Sequence, residues 1–314
     1  MKISNIILLD VSRLVWRAWK GLFPTGIDRT CLAYLKHYRH RAQAVVQTGR
    51  WTQALSESAS QALFDILLEQ GTDVRRRLAA FLAWGLFSGQ RNSSLCGRSY
   101  LNVGHTGLNK PGHTDWIARS GVKPIYFVHD LIPLTHPEYC RPGEPEKHLR
   151  RMQALLRNGV GIIGNSRDTL NELSIFSGLQ KAISLPPIIV APLGVDMGSQ
   201  EGAERVESRM PGRPYFVMVG TIEGRKNHLF ILNLWAAMAR RLGAACPQLV
   251  IIGKRGWECE QAVDMLERCE AIRRHVIEVP RCDDALLRAY VQGARALLFP
   301  SFVEGYGLPL VEAL

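Results

Sequence analysis

Two glutamates eight residues apart, Glu304 and Glu312, flank the stretch Gly305-Tyr306-Gly307-Leu308-Pro309 near the carboxyl end of a 314-residue chain. Carboxylates accept hydrogen bonds from hydroxyls and are poor partners for phosphate, so such a pair suits the hydroxyl-bearing part of a ligand. Earlier in the chain, the adjacent cations Arg225 and Lys226 stand within Gly220-Thr221-Ile222-Glu223-Gly224-Arg225-Lys226-Asn227-His228. They lie between a strand-like and a helix-like run. With the helix dipole behind them, two cations there can neutralise a diphosphate. A ligand that carries both hydroxyls and phosphates, such as a nucleotide sugar, satisfies both groups. A histidine, His129, closes a third apolar run and would stand at the carboxyl edge of a sheet, where ligands of open α/β folds bind.

The elements that must hold these residues alternate in type. Strand-like runs occupy 3–9, 44–47, 100–103, 124–128, 160–164 and 188–191, and helical spacing occupies 27–39, 52–70, 73–87, 146–157 and 167–176. Alternation of this kind predicts a parallel sheet flanked by helices. After a polar Gly/Ser/Glu-rich stretch, 197–213, the pattern restarts with strands at 215–219, 249–252 and 276–279 and helices at 229–242, 261–274 and 285–293. The apolar run 296–299 completes it as a last strand. Pro300 and the glycines break that strand, and 308–314 opens a helix, so Gly305 to Leu308 form a strand-to-helix turn whose backbone an anion can approach. The expected domains are 1–198 and 214–314, joined by a linker at 199–213.

Length and composition agree with two domains. The chain is about twice the usual domain size, and 46% hydrophobic residues supply two cores. Seven scattered cysteines without a Cys-x-x-Cys pair argue against a disulfide framework and against a zinc site. The amino-terminal apolar run ends on Asp10 without a cleavage pattern and reads as a first strand, and the longest apolar run elsewhere, 78–87, is too short to cross a bilayer. The cytoplasm is the expected compartment. The net charge of +11 is uneven: residues 1–198 carry 24 Lys and Arg against 14 Asp and Glu, while 199–314 carry 15 against 14. A basic half suits an anionic substrate or membrane surface, and no nucleic-acid-binding module accompanies it. In 11–24, Trp16, Trp19 and Phe23 interleave with Arg13, Arg17 and Lys20, a mixture suited either to a membrane interface or to a loop packed on the domain.

Glu304-x7-Glu312 around Gly-Tyr-Gly-Leu-Pro resembles the motif of the retaining glycosyltransferases of family 4, which have the GT-B fold. Gly220 to His228 is similar to that family's Gly-x4-Arg-Lys-Asn, and Thr25-Gly26-Ile27-Asp28-Arg29 is similar to its glycine loop before the first helix. His129-Asp130 and the strand ends Gly161 to Ser166 and Ala191 to Asp196 match as well. The resemblance, closest to bacterial polysaccharide and lipopolysaccharide mannosyltransferase-like enzymes, implies two Rossmann-like doubly wound domains facing across a cleft, the second incomplete because such families continue beyond the position of Leu314. It further implies transfer of a hexose from a nucleotide-diphosphate sugar to a glycan or lipid-linked acceptor, with retention and without metal or other cofactor. By the same resemblance His129 contacts the transferred sugar near the reacting carbon. Arg225 and Lys226 hold the diphosphate, and Gly26 lets the donor phosphates or the acceptor come close. Glu304 with Gly305, Tyr306, Gly307 and Leu308 holds the donor sugar, and Glu312 holds the ribose. The acceptor half, being basic, is expected to lie on an anionic membrane as a peripheral protein. The alternative is a catalytically inactive remnant that binds a membrane or partner.

Overall fold

Near-continuous apolar strands are the mark of a parallel sheet covered on both faces, and the first half of the chain builds one. The computed structural model describes residues 6–22, 24–49, 51–69, 73–85, 92–180, 184–194 and 211–314. Compact packing divides these into two units. One comprises the residues up to Leu131 with Glu146–Leu193; the other comprises Ile132–Pro145 and the chain from Gly194 onward. The expected linker lies almost wholly outside the described residues, as do Phe23, Val195 and Asp196.

The first unit has seven strands, β1 (Ile7–Asp10), β2 (Ala42–Thr48), β3 (Trp51–Ala54), β4 (Ser99–Asn102), β5 (Lys123–Val128), β6 (Gly161–Gly164) and β7 (Ile188–Val190). Their order is β3-β2-β1-β4-β5-β6-β7, parallel throughout except for β3. The helix expected over 52–70 begins only at α3 (Glu57–Leu68), because Gly49 at φ +57° turns the chain back and residues 51–54 pair antiparallel with β2. Residues 12–19, read as an interface or a loop, form α1 (Ser12–Trp19), with Leu14 and Val15 buried. Helices α2 (Gly26–Tyr38) and α4 (Val74–Gly85) follow the expected spans, and α1 to α4 share one apolar core with Leu9, Ala44, Val46, Leu101 and Phe127 of the sheet. The sequence reading missed α5 (Pro111–Ser120), whose apolar stripe is short. It buries Trp116 against Tyr100, ring centres 5.2 Å apart. Helices α7 (Glu144–Asn158) and α8 (Arg167–Leu179) complete the layer. Between β5 and α7, α6 (Ile132–Thr135) and a 3-10 turn (Pro137–Tyr139) belong to the second unit by packing.

The second unit is a parallel three-stranded sheet in the order β10-β9-β8: β8 (Tyr215–Val219), β9 (Gln248–Ile252) and β10 (Val276–Val279). Strand alternation divides its core in two. Met218, Leu249 and Ile251 pack with α9 (His228–Leu242) through Leu232 and Trp235. Tyr215, Val217, Val250 and Ile252 pack with α12 (Asp284–Gly293) through Leu286 and Tyr290. The helix expected over 261–274 is interrupted at Cys269, giving α10 (Glu260–Arg268) and α11 (Glu270–Arg273). The expected last strand, 296–299, reduces to one parallel bridge between Leu297 and Val217, held by Val217 N donating to Ala296 O at 3.1 Å and Leu298 N donating to Val217 O at 2.8 Å. Pro300 has no N–H to continue the ladder. A short helix, α13 (Leu308–Glu312), follows.

Close backbone approach fixes the carboxyl edge of this sheet. A Cβ added to Gly253 would lie 1.9 Å from Gly220 O, and neither partner is a movable side chain. Gly253→Ala is therefore expected to cost about 1–3 kcal/mol of stability, as overpacking typically does. Chemical denaturation measures it, and an unchanged midpoint would contradict the packing argument.

Candidate active site

The turn between β8 and α9 is built for proximity to its own cations. Gly220, at φ +143°, brings the chain so close that a Cβ there would meet Lys226 Cε at 3.3 Å. Residues Gly224–Lys226 form a 3-10 turn, and Asn227, at φ +58°, leads into α9; asparagine tolerates this left-handed conformation better than most residues. The turn is fastened across the unit to the chain after β-bridge residue Leu297. Phe302 N donates to Arg225 O at 2.9 Å, and Arg225 Nη1 donates to Val303 O at 3.1 Å.

Four charges meet there. Arg225 Nη1 lies 2.8 Å from Glu304 Oε2, Arg225 Nε lies 2.6 Å from Glu223 Oε1, and Lys226 Nζ donates to Glu304 Oε1. Lys226 Nζ also stands 5.4 Å from the centre of the Phe299 ring. Lys226 is 7% exposed, sealed by Glu304 and Phe299. Burial lowers the Lys226 pKa although Glu304 opposes the shift. Burial would raise that of Glu304, but the charges of Lys226 and Arg225 prevail and hold its carboxyl below the ordinary value. Glu223, 3% exposed, is raised by burial against the pull of both cations. Ionised, the two carboxylates balance the two cations, and the four side chains together carry no net charge.

Around this cluster the residues Gly305 to Leu308 turn the chain into α13, with Gly307 at φ +84°, and Glu312 is half-buried on that helix. The sequence reading missed the aromatic fastening of segment 132–145. The Tyr139 ring stacks on Phe302 with centres 5.5 Å apart and 1° between planes. Trp257 Nε1 donates to Tyr139 O at 3.0 Å, and the Arg141 guanidinium lies 4.6 Å above the Trp257 ring. An isolated Tyr and Trp far apart in sequence gave no signal for it.

The remaining two expected residues, His129 and Gly26, belong to the first unit. His129 is 5% exposed at the end of β5, its Nε2 is 2.7 Å from Val103 O, and Asn165 Nδ2 donates to its carbonyl at 2.8 Å. Burial takes its pKa down to about 4, so the ring is neutral at neutral pH. A neutral ring donating from Nε2 to a carbonyl leaves Nδ1 as an acceptor. Gly26 is the exposed first residue of α2 and accepts from Thr30 Oγ1 at 3.0 Å through its carbonyl. Beside it, Asp28, 1% exposed, binds Arg13 Nε and Arg17 Nε at 2.6 Å each and Thr25 N at 2.7 Å. Two of the three cations expected to face a membrane are thus turned toward this carboxylate. Trp16 and Trp19 remain about 40% exposed, Trp16 with its Nε1 donating to Gln47 O at 3.2 Å. Among the described residues, no helix is long and apolar enough to cross a membrane.

Residues 200–314 match the family model of glycosyl transferases group 1. The chain is 26% identical over 210 residues to the serotype-specific mannosyltransferase WbdA of Escherichia coli, covering 63% of this chain and 26% of that protein. It is 35% identical over 204 residues to the O-antigen chain mannosyltransferase B of Escherichia coli, covering 61% and 50%. The matches thus span between a quarter and a half of the length of these curated relatives. The crystal structure of Anabaena HepE in complex with UDP and glucose has a TM-score of 0.60 at 15% identity, covering 98% of this chain and 77% of that one. The fold is GT-B, and residues 200–314 are similar to the glycosyl transferases group 1.

Proposed function

We propose that the protein transfers a hexose, mannose or a close relative, from a nucleotide-diphosphate sugar to a glycan or lipid-linked acceptor, with retention and without a metal ion. The observation that carries this reading is the balance of Arg225 and Lys226 against Glu304 and Glu223, with Lys226 and Glu223 buried, at the carboxyl edge of a parallel sheet. Two cations already fixed in a water-poor site are suited to stabilise a diphosphate leaving group electrostatically, the work a metal ion performs in other transferases. Similarity to two mannosyltransferases supports the choice of sugar, and the complex of HepE with UDP and glucose supports the class of donor. Retention rests on the resemblance of the Glu304 and Glu312 motif to the retaining family.

The geometry suggests counter-ion exchange as the binding step. Glu304 pairs with both cations. An incoming diphosphate takes its place as their partner, and the released carboxylate is then free to accept hydrogen bonds from hydroxyls of the donor sugar. Glu223 stays with Arg225 and keeps the guanidinium oriented. Glu312 accepts from the ribose, while the backbone of Gly305 to Leu308 lies along the sugar. In the other unit, His129 offers a neutral ring nitrogen as acceptor for a sugar hydroxyl near the reacting carbon, and Gly26 leaves room for phosphate or acceptor. Membrane attachment enters the proposal in reduced form, through Trp16, Trp19 and Lys20, because Arg13 and Arg17 are occupied by Asp28.

Three measurements test these assignments. Lys226→Ala should lower kcat/KM for the donor by about 100-fold or more, as loss of an electrostatic stabiliser does; wild-type turnover would remove Lys226 from the site. Glu304→Gln should tighten binding of a nucleoside diphosphate while lowering kcat, since the substitution removes the competitor for the two cations. Weaker diphosphate binding in this variant would refute the exchange. Activity should persist in EDTA, and loss restored by manganese or magnesium would overturn metal independence.

A further inference from the structure

The first unit carries a second concentration of cations, away from the residues assigned above. The loop before α5, the first turns of α5 and one face of α7 enclose a groove of about 200 Å³. Lys110, Arg150 and Arg157 line it together with Asn109, Thr114 and Gln153. Arg150 and Arg157 are seven residues apart on α7, two helical turns or about 10 Å along the axis, so both point to one side. Gln153 lies between them on the same stripe. Among the described residues no carboxylate pairs with Lys110, Arg150 or Arg157, although Glu146 stands one turn before Arg150.

The groove is carried on an anchored backbone. The opposite face of α7 buries His148, Met152, Leu155 and Leu156, and α5 buries His113 and Trp116. Asn158 Nδ2 donates to Thr114 Oγ1 at 3.1 Å and ties the two helices together. Three like charges held around one concavity repel one another, and an anion relieves that repulsion. Guanidinium groups donate to phosphate oxygens in a planar, forked geometry. The space is below the roughly 300 Å³ at which pockets for drug-sized ligands begin, so it takes one charged group and part of its carrier, not a chain. The amides of Asn109 and Gln153 and the hydroxyl of Thr114 add neutral partners for hydroxyls next to the charge.

We propose that this groove binds a phosphate ester borne by a saccharide, at a site separate from Arg225 and Lys226. Binding is read without turnover, so this proposal and the transferase reading fail independently. The experiment is calorimetric titration of the full chain with a hexose phosphate, inorganic phosphate and the unphosphorylated hexose, and co-sedimentation with phosphatidylcholine vesicles with and without phosphatidylglycerol. Wild type, Arg150→Glu/Arg157→Glu and Lys226→Ala are compared, with Arg150→Gln/Arg157→Gln as the milder variant and circular dichroism as the check of folding. The hexose phosphate should bind wild type and Lys226→Ala alike, at least about tenfold more weakly in both arginine pairs, while the plain hexose does not bind. Equal affinity in wild type and the folded Gln/Gln variant, or loss in Lys226→Ala alone, would overturn the site. A response to the arginine changes with inorganic phosphate only, or with anionic vesicles only, would overturn the saccharide assignment.

Discussion

The second unit's candidate site depends on keeping two cations close together, Lys226 buried and Arg225 partly so. Arg225 and Lys226 are adjacent in sequence, and placing both in a poorly hydrated turn is costly unless counter-charges accompany them. Glu223 and Glu304 supply these from opposite directions, one from the same turn and one from a loop some eighty positions later. A cluster balanced in this way holds both cations in place without a net charge.

The backbone is arranged to serve that balance. Gly220 and Gly253 let two strand ends approach until no Cβ fits between them, which brings the Lys226 side chain against the main chain. The loop bearing Glu304 is held by the main-chain hydrogen bond from Phe302 N to Arg225 O and by Arg225 Nη1 donating to Val303 O. Tyr139, contributed by the first half of the chain and fastened through its carbonyl by Trp257 Nε1, then covers Phe302. A parallel sheet whose core divides onto two faces gives these loops a rigid edge to stand on.

In the first unit the same physics works on the other sign. Asp28 is a buried carboxylate, and two arginines of α1 together with Thr25 surround it. The charge asymmetry of the chain therefore overstates what is free to meet an anion, since part of the basic excess is consumed internally. Three cations, Lys110 before α5 and Arg150 and Arg157 on α7, have no carboxylate partner among the described residues.

The sequence by itself determined the order and type of most elements, because strands buried on two faces and helices with one apolar stripe differ in period. It also located the residues that gather in the second unit, because Arg225-Lys226 and Glu304 each stand where a strand-like run gives way to a helix. It failed where pairing partners decide the outcome. Residues 51–54 became a strand through contact with β2, 296–299 lost strand status through Pro300, and the arginines of α1 turned inward because Asp28, fifteen residues beyond Arg13, lies within reach only after folding. Local periodicity reports what a segment can bury, whereas counter-ions, stacked rings and edge pairing are contacts between distant segments. Hence the sequence identified Lys226 as a cation beside a helix, and only the tertiary structure decided that it is buried, with Glu304 as its partner.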